Sequence, residues 1–306
     1  MQDKPTPSIK NIGLVSVTYN SSSLAKFMAK TAQHFENVWI VDNCSNDNPV
    51  EVFGASISHA NIVALDRNLG FGAANNMGFK ASLAASLEYT LFLNPDCQIA
   101  ANDILRLLET LRTQPDTGIV CPRVYDGNGK AYDTLRCNYR VPYSEKQIQR
   151  IEPEKIDDPV IKDGWLEGAC FLVKNEVFER MGAFNENLFM YCEEDDIGIR
   201  LNRLGYNIAT DTAATAFHMG GASTPPSLRI SLRKAYHVRW SRFYMTDTYV
   251  NKRRRKIEAL KTLAAALVAL PLYGILLRKK HVNKWTGWFF AALDSLTMTK
   301  SFRNLF

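Results

Sequence analysis

Short apolar runs alternate with helical patterns along the chain. Strands are predicted at 12–17, 38–41, 62–65, 89–93 and 119–124, and helices at 21–34, 72–87 and 102–113. After a polar, proline-interrupted loop at 133–163, the pattern resumes with strands at 166–173, 207–209 and 213–217 and helices at 175–181 and 194–204. This alternation predicts an α/β domain with a mostly parallel central sheet.

Polar residues follow four of the predicted strands directly. They are Tyr19-Asn20, Asp42-Asn43, Asp66-Arg67 and the Asn94-Pro95-Asp96 segment. Ligands of open α/β sheets bind beyond the carboxyl ends of the strands, so this clustering is a first indication of a site. Strand ends and turns are polar in most proteins, and any single pair is equally well explained in that way.

Two acidic segments suggest specific chemistry. Asp96 follows a buried strand in LFLNPDCQI, where a carboxylate suits a divalent cation that also binds phosphates, although a plain turn or a helix cap explains it too. Glu193, Glu194, Asp195 and Asp196 begin an amphipathic helix in FMYCEEDDIGIRLNRLG. The helix dipole explains one or two acids at this position. Four acids repel one another, which raises the pKa of a carboxyl group among them toward a value useful for a base.

Other motifs are weaker or absent. His218 ends an apolar strand before Gly220-Gly221 and is a candidate ligand only in combination with other groups. The glycines at 70, 72 and 78 lack dinucleotide-binding spacing, and the sequence contains no Walker A, H-E-x-x-H or G-x-S-x-G motif. Six cysteines without C-x-x-C spacing argue against a zinc site and, with no apolar leader at the N-terminus, suggest a reducing cytosol.

Charge divides the chain into two parts. Hydrophobic residues make up 46% and charged residues 22%, which is typical of a folded protein. Residues 1–225 carry a net charge of −8, whereas residues 226–306 carry 17 Lys and Arg against 3 Asp and Glu, a net of +14. We therefore expect an acidic folded domain at 1–225 and a basic helical region at 226–306, whose partner is an anionic membrane surface or a nucleic acid.

The basic region has the pattern of an interfacial helix. The apolar run 263–277 is short for a membrane span and is broken by Pro271. Basic clusters at 252–256 and 278–280 flank it, and Trp285, Trp288, Phe289 and Phe290 follow. We predict helices that lie in the membrane interface rather than cross it; a soluble helical appendage is the alternative.

Seven segments, in this order, resemble glycosyltransferase family 2 and especially its rhamnosyltransferase-like branch. They are VSVTYNS, VWIVDNCSND, LDRNLGFGAANNMGF, YTLFLNPDC, WLEGACFLV, FMYCEEDDIGIRLNRLGY and FHMGGAS. The resemblance implies a GT-A fold with a nucleotide-binding half followed by an acceptor-binding half.

The resemblance also implies roles for individual residues. Those for the nucleotide sugar are Thr18, Tyr19, Asn20, Asp42, Asn43, Arg67, Asn68, Gly72, Asn75, Asn94 and Asp96, and those for the acceptor are Trp165, Glu167, Gly168 and Glu193. Asp96 matches the last acid of the family's D-x-D motif, whose first position is Asn94 here. His218 matches a histidine that helps hold either the metal, Mg²⁺ or Mn²⁺, or the pyrophosphate. The base matches Glu194, although the family motif reads Glu-Asp-x-Asp and Asp195 is adjacent.

The implied reaction is an inverting, metal-dependent transfer from a nucleotide sugar, dTDP-rhamnose, to a lipid-linked saccharide of O-antigen or capsule assembly. It would take place on the inner face of the bacterial plasma membrane, with the enzyme attached peripherally and in an oligomeric state that the sequence leaves open. A UDP-hexose or galactofuranose donor is the alternative within the family. A nucleic-acid-binding protein would leave the carboxylates without a role, and an inactive sugar-binding scaffold would not need Asp96, Glu194 and His218.

Overall fold

β1 (Ile12–Thr18) is almost completely buried and has a hydrogen-bonded neighbour on each edge, as expected of a central strand. The computed structural model describes residues 8–132, 135–137, 143, 148–150, 159–220 and 227–297. The other strands are β2 (Asn37–Asp42), β3 (Asn61–Ala64), β4 (Tyr89–Leu93), β5 (Cys97–Ile99), β6 (Thr117–Tyr125), β7 (Leu135–Cys137), β8 (Ile148–Arg150), β9 (Val160–Lys162), β10 (Cys170–Lys174) and β11 (Asn207–His218).

The helices cover the sheet and then continue alone at the C-terminal end. They are α1 (Ala25–Ala32), α2 (Pro49–Ser56), α3 (Phe71–Ala84), α4 (Ala101–Thr113), α5 (Asn175–Arg180), α6 (Glu193–Arg203), α7 (Leu228–Tyr249), α8 (Lys252–Ile275) and α9 (Lys279–Thr297).

The main sheet has nine strands in the order β3-β2-β1-β4-β10-β6-β11-β5, with β9 also paired to β11. Strands β1 to β4, β6 and β11 run in one direction, whereas β5, β9 and β10 run in the other. The predicted α/β fold with a mostly parallel sheet is therefore confirmed. The chain passes from β1 outward to β3 and returns to β4 on the other side of β1, which opens a crevice beyond the carboxyl ends of β1 and β4.

Alternate residues of the central strands enter two separate cores. Leu14, Ile40 and Leu91 pack with helices α1, α2 and α4 on one face. Val15 and Phe92 pack on the opposite face, with residues of α3, α5 and α6. Helix α6, which carries the four acids, is thus fixed against the same face as α3.

Some sequence predictions need correction. The strand predicted at 166–173 begins only at Cys170, because residues before it form a turn in which Cys170 N donates to Glu167 O. The segments predicted at 207–209 and 213–217 are one strand, β11, with a register shift against β6 between Asp211 and Thr215. The loop predicted at 133–163 contains the short strands β7, β8 and β9, and its other positions from 133 to 158 lie outside the described residues, apart from Tyr143.

Helices α7, α8 and α9 pack on one another at the C-terminal end. The side of α8 that faces its neighbours carries Arg255, Ala259, Thr262, Ala266 and Ala269, at alternating spacings of four and three. α9 approaches α7 so closely that a Cβ at Gly287 would lie 2.8 Å from Leu232 O. Among the described residues, α8 alone is long and apolar enough to cross a membrane by length and composition. The predicted boundary at 225 lies outside the described residues.

Candidate active site

The carboxyl ends of β1 and β2 form one wall of the crevice. Thr18 is fully buried, and its hydroxyl lies 2.7 Å from Ser21 Oγ. Asn20 adopts a left-handed backbone (φ +50°), its N–H donates to Ser45 Oγ at 2.8 Å, and its side-chain oxygen accepts from Asn46 N at 2.8 Å. Asp42 accepts from Ser45 N and Oγ. The two strand ends are therefore tied together, and Tyr19 lies partly exposed between them.

The segment after β3 forms the next wall. Asn43 holds it from both sides, because its side chain accepts from Leu69 N at 2.8 Å and donates to Gly70 O at 3.2 Å. Asn68 accepts from Gly70 N at 2.9 Å. A side chain at Gly70 (φ +88°) would overlap Phe189 O, which accepts from Phe71 N at 2.9 Å, so this segment is joined to the one that precedes α6.

Three residues predicted to bind the donor have different surroundings. Gly72 packs against Phe184, and Asn75 is buried and donates to Phe71 O within its own helix. Arg67 is exposed beyond the end of β3. A role for these three in donor binding stays a prediction.

Asp96 and His218 come together across the sheet. Asp96 follows β4, is 4% exposed, and its Oδ1 lies 3.2 Å from His218 Nε2. The pairing of β5 with β11 sets His218 opposite Cys97, and Met219 N donates to Asp96 O at 2.9 Å. Tyr132 OH lies 3.1 Å from His218 Nδ1 and so orients the ring. Asp96 does not cap a following helix, since β5 comes next, and Asn94 beside it is half-buried.

This pair fits a divalent cation that also binds the donor phosphates. Among the described residues, no group of three or more His, Cys, Asp and Glu side chains is arranged to hold a metal ion. A carboxylate and an imidazole supply two ligands, and cations that bridge phosphates take their remaining ligands from phosphate and water. Burial lowers the pKa of His218, but the hydrogen bond with Asp96 and the charges of Asp96 and Glu167 outweigh burial and raise it.

The turn before β10 brings the acceptor-side residues to the acids of α6. Gly168 lies so close to Glu194 that a Cβ there would overlap Oε1, and Trp165 Nε1 donates to Asp195 Oδ1 at 3.4 Å. Glu167 lies within electrostatic reach of His218 and of Glu194. The structure therefore brings both predicted catalytic acids, three predicted acceptor residues and the Asp96–His218 pair into one region.

Burial raises the pKa values of Glu193 and Glu194. Burial, followed by the charges of Asp195 and Glu167, raises the pKa of Glu194 to about 7. Burial also raises the pKa of Glu193 well above its usual range, and the charges of Glu194 and Asp196 add to this. Glu193 is 4% exposed and its Oε1 has no hydrogen-bond partner. The protonation of Glu194 therefore changes near neutral pH.

Asp196 has a structural role instead. It is fully buried and accepts from Arg200 Nε at 2.7 Å, from Asn185 Nδ2 at 3.3 Å and from Tyr249 OH at 2.5 Å. These three groups satisfy the carboxylate and hold α6 to α7.

The backbone immediately before α6 is strained. Tyr191 (φ +73°) and Cys192 (φ +68°) both adopt the left-handed conformation, which costs about 1–3 kcal/mol for each side chain. Phe189 stacks on His237 of α7 at 4.7 Å, and Met190 O accepts from Ser241 Oγ of α7 at 2.8 Å. α7 therefore supports the strained turn from which α6 begins.

Sequence reasoning missed Ser45, Tyr132 and Tyr249. Their contacts join positions 3, 86 and 53 residues apart. The contact of Ser45 with Asp42 is local. The contacts of Tyr132 and Tyr249 depend on how β11 and α7 fold back onto the site, and no local sequence pattern marks them.

Known proteins resemble the chain in sequence and in fold. An N-acetylglucosaminyl-diphospho-decaprenol L-rhamnosyltransferase of Mycobacterium tuberculosis is 28% identical over 240 residues, covering 69% of this chain and 76% of the relative. A dTDP-rhamnosyl transferase of Shigella flexneri is 26% identical, covering 59% of each chain. A mannosyltransferase of Pyrobaculum calidifontis, solved with GDP-Man and Mn²⁺, covers 96% of this chain and 91% of its own, with a TM-score of 0.52 and 15% identity.

The family model named "Glycosyl transferase family 2" matches residues 14–180, more than half of the chain. This match includes the walls of the crevice, Asp96 and the turn at 165–168. With the predicted fold in place and rhamnosyltransferases among its relatives, the chain belongs to glycosyl transferase family 2.

Proposed function

We propose that the protein transfers L-rhamnose from dTDP-rhamnose to a saccharide carried on a lipid diphosphate, with inversion at the anomeric carbon. The observation that carries this proposal is the position of Glu194, which lies against Gly168 on the same side of the fold as the Asp96–His218 pair and has a pKa of about 7. The sugar and the acceptor are suggested by the relatives, two of which are named as rhamnosyltransferases and one as acting on a decaprenyl diphosphate.

The donor would occupy the crevice beyond β1 and β4. The strand ends at Thr18–Asn20 and Asp42–Asn43 would bind the nucleoside, and the turn at Gly70 would shape the floor. Asp96 and His218 would hold Mg²⁺ or Mn²⁺ against the diphosphate. When bound, the cation neutralises negative charge on the leaving nucleoside diphosphate.

The acceptor would enter beside Trp165 and Gly168. Glu194 accepts the proton of the acceptor hydroxyl as its oxygen attacks the anomeric carbon and the bond to the diphosphate breaks. A carboxylate with a pKa near 7 is well matched to this proton transfer at neutral pH. One base and no protein nucleophile give a single displacement, and the sugar is inverted.

The test is a transfer assay with the purified full-length chain. We expect dTDP-rhamnose to be used in preference to UDP-glucose, UDP-galactofuranose and GDP-mannose, with a lipid-diphosphate N-acetylglucosamine as acceptor. NMR of the product should show the anomeric configuration opposite to that of the donor, and EDTA should stop transfer. Preference for a UDP-hexose would overturn the rhamnose assignment, retention would overturn the mechanism, and full activity in EDTA would overturn metal dependence.

Glu194→Gln keeps the shape of the side chain and removes its basicity. We expect turnover to fall by about 10²–10⁴ while donor affinity is unchanged. Asp195→Asn is the comparison and should lose less activity, because the next residue on a helix points about 100° away and Asp195 contacts Trp165 instead. If Asp195→Asn is inactive and Glu194→Gln is active, the base lies one residue later than proposed.

A further inference from the structure

Helix α8 buries small side chains and exposes large apolar ones. This is the reverse of the usual arrangement in a helix of a soluble protein. Its small residues Ala259, Thr262, Ala266 and Ala269 face α7 and α9. Five of its larger apolar residues face outward: Leu260 is 56% exposed, Leu267 and Val268 68%, Leu272 50% and Ile275 81%. A helix in water buries its large apolar side chains, whereas helices in lipid pack through small residues.

The exposed side continues past the end of α8. Leu276 and Leu277 form the turn into α9, where Leu277 is 83% exposed, and Phe290 and Leu293 of α9 are also exposed. We call this surface, formed by residues 260, 267, 268, 272, 275, 276 and 277, the α8 apolar face. A continuous apolar surface of this kind indicates a binding partner.

Basic side chains border the α8 apolar face at both ends. Lys252, Arg253, Arg254 and Lys256 are exposed at the beginning of α8, and Arg278, Lys279 and Lys280 are exposed immediately after Leu277. A second copy of the chain is poorly suited to this face, since parallel and antiparallel pairing of α8 would both bring positive charge against positive charge. An anionic lipid surface is complementary to the charges and to the apolar side chains.

The neighbouring helices require α8 to lie in the plane of the membrane. α9 runs back along α8 with exposed Lys284 and buried Asp294, which accepts from Tyr236 of α7. α7 in turn contacts Phe189, Met190 and Asp196 of the candidate active site. If α8 crossed the bilayer, charged groups and the residues of the candidate active site would be drawn into the hydrocarbon. If α8 lies flat on the bilayer, both of its basic ends are at the headgroups.

We propose that the α8 apolar face is the membrane-docking surface of this protein and that it binds flat on bilayers containing anionic phospholipid. This inference goes beyond the proposed transfer reaction, because binding can be measured without a sugar donor. It also defines the side of the molecule that faces the membrane, with α7 connecting that side to the strained turn before α6.

Flotation of the full-length chain with vesicles tests the proposal. We expect the protein to float with vesicles of equal phosphatidylglycerol and phosphatidylcholine at low salt, and to be released by alkaline carbonate as a peripheral protein. Substitution of Leu267, Leu272 and Ile275 by Gln should abolish flotation. Lys279→Glu with Lys280→Glu should weaken the partition coefficient by on the order of 10- to 100-fold, since each basic side chain near an anionic surface contributes roughly fivefold.

Matched controls lie in the part of the chain that carries the central sheet, away from the α8 apolar face. Val50→Gln replaces another exposed apolar residue, and Lys80→Glu another exposed lysine, and neither should change flotation. Circular dichroism establishes that each variant is folded. The proposal would be overturned by wild-type protein that does not float, by a triple variant that still floats, or by a wild-type dimer that the triple variant converts to monomer. Preferential binding to DNA over vesicles would count against it equally.

Discussion

At the residue scale, adjacent acids of α6 have different surroundings. Glu194 contacts Gly168 and titrates near neutral pH, Asp195 accepts from Trp165, and Asp196 is saturated by Arg200, Asn185 and Tyr249. The run of acids is visible in the sequence, but these differences in their surroundings are not. It depends on the turn at 165–168 and on α7, both distant along the chain.

Glu193 gives a stability prediction at the same scale. The pKa of Glu193 is higher in the folded chain than in the unfolded chain, so the protonated carboxyl favours the native state. This stability is fully present below the unfolded-state pKa and is lost as pH rises toward the folded-state pKa. The loss is about 1.4 kcal/mol for each pH unit in that interval. Glu193→Gln is always neutral, so we expect its melting temperature to exceed that of the wild type by a margin that grows to a few degrees as pH rises above the unfolded pKa.

Thermal unfolding monitored by circular dichroism at several pH values measures this effect. Glu109→Gln is the matched control, because Glu109 is exposed on α4, and its curve should follow that of the wild type. Parallel curves for Glu193→Gln and the wild type would contradict the prediction, since they would mean that Glu193 titrates alike in the folded and unfolded chains.

At the scale of elements, the strong apolar runs were predictable and the short elements were not. β1, β2, β4 and α4 follow from apolar runs and periodicity, and the structure has them within two residues of the predicted bounds. α2 and β5 were missed. β5 has three residues and depends on β11 for pairing, so no local pattern reveals it, although it determines where His218 lies.

The contact between α6 and α7 gives a prediction at this scale. Tyr249→Phe removes one of three donors to the buried Asp196 and leaves the ring in place. We expect a loss of about 1–3 kcal/mol in unfolding free energy, because a buried carboxylate loses a hydrogen bond. Denaturant unfolding measures it, and Tyr273→Phe, whose ring stacks on His281 in the α8–α9 turn, is the control.

A double variant separates this contact from a general effect of the substitution. If Tyr249 acts through Asp196, the losses in Tyr249→Phe and Asp196→Asn should not add in the combined variant, since the first substitution already removes part of what the second disrupts. Strict additivity would show that Tyr249 stabilises α7 independently of α6.

At the scale of the whole molecule, the charge distribution has a clear physical consequence. The net −8 of residues 1–225 is repelled by an anionic bilayer, whereas the net +14 of residues 226–306 is attracted to it. The sequence predicts this division, but only the structure shows that α7 belongs to both parts, because it packs with α8 and α9 and supports the turn before α6. One helix therefore connects the α8 apolar face with the turn before α6.

Membrane docking and transfer should therefore respond differently to salt. Raising NaCl from about 50 mM to about 500 mM shortens the screening length from roughly 14 Å to roughly 4 Å and weakens attraction of the tail to lipid. We expect transfer to a lipid-linked acceptor in anionic vesicles to fall severalfold, whereas transfer to a short-chain, water-soluble analogue should change little. Lys279→Glu with Lys280→Glu should reduce only the vesicle rate. If both rates fall equally, the salt dependence lies in donor binding at the active site, where the diphosphate carries the charge. Docking would then not control the rate of transfer.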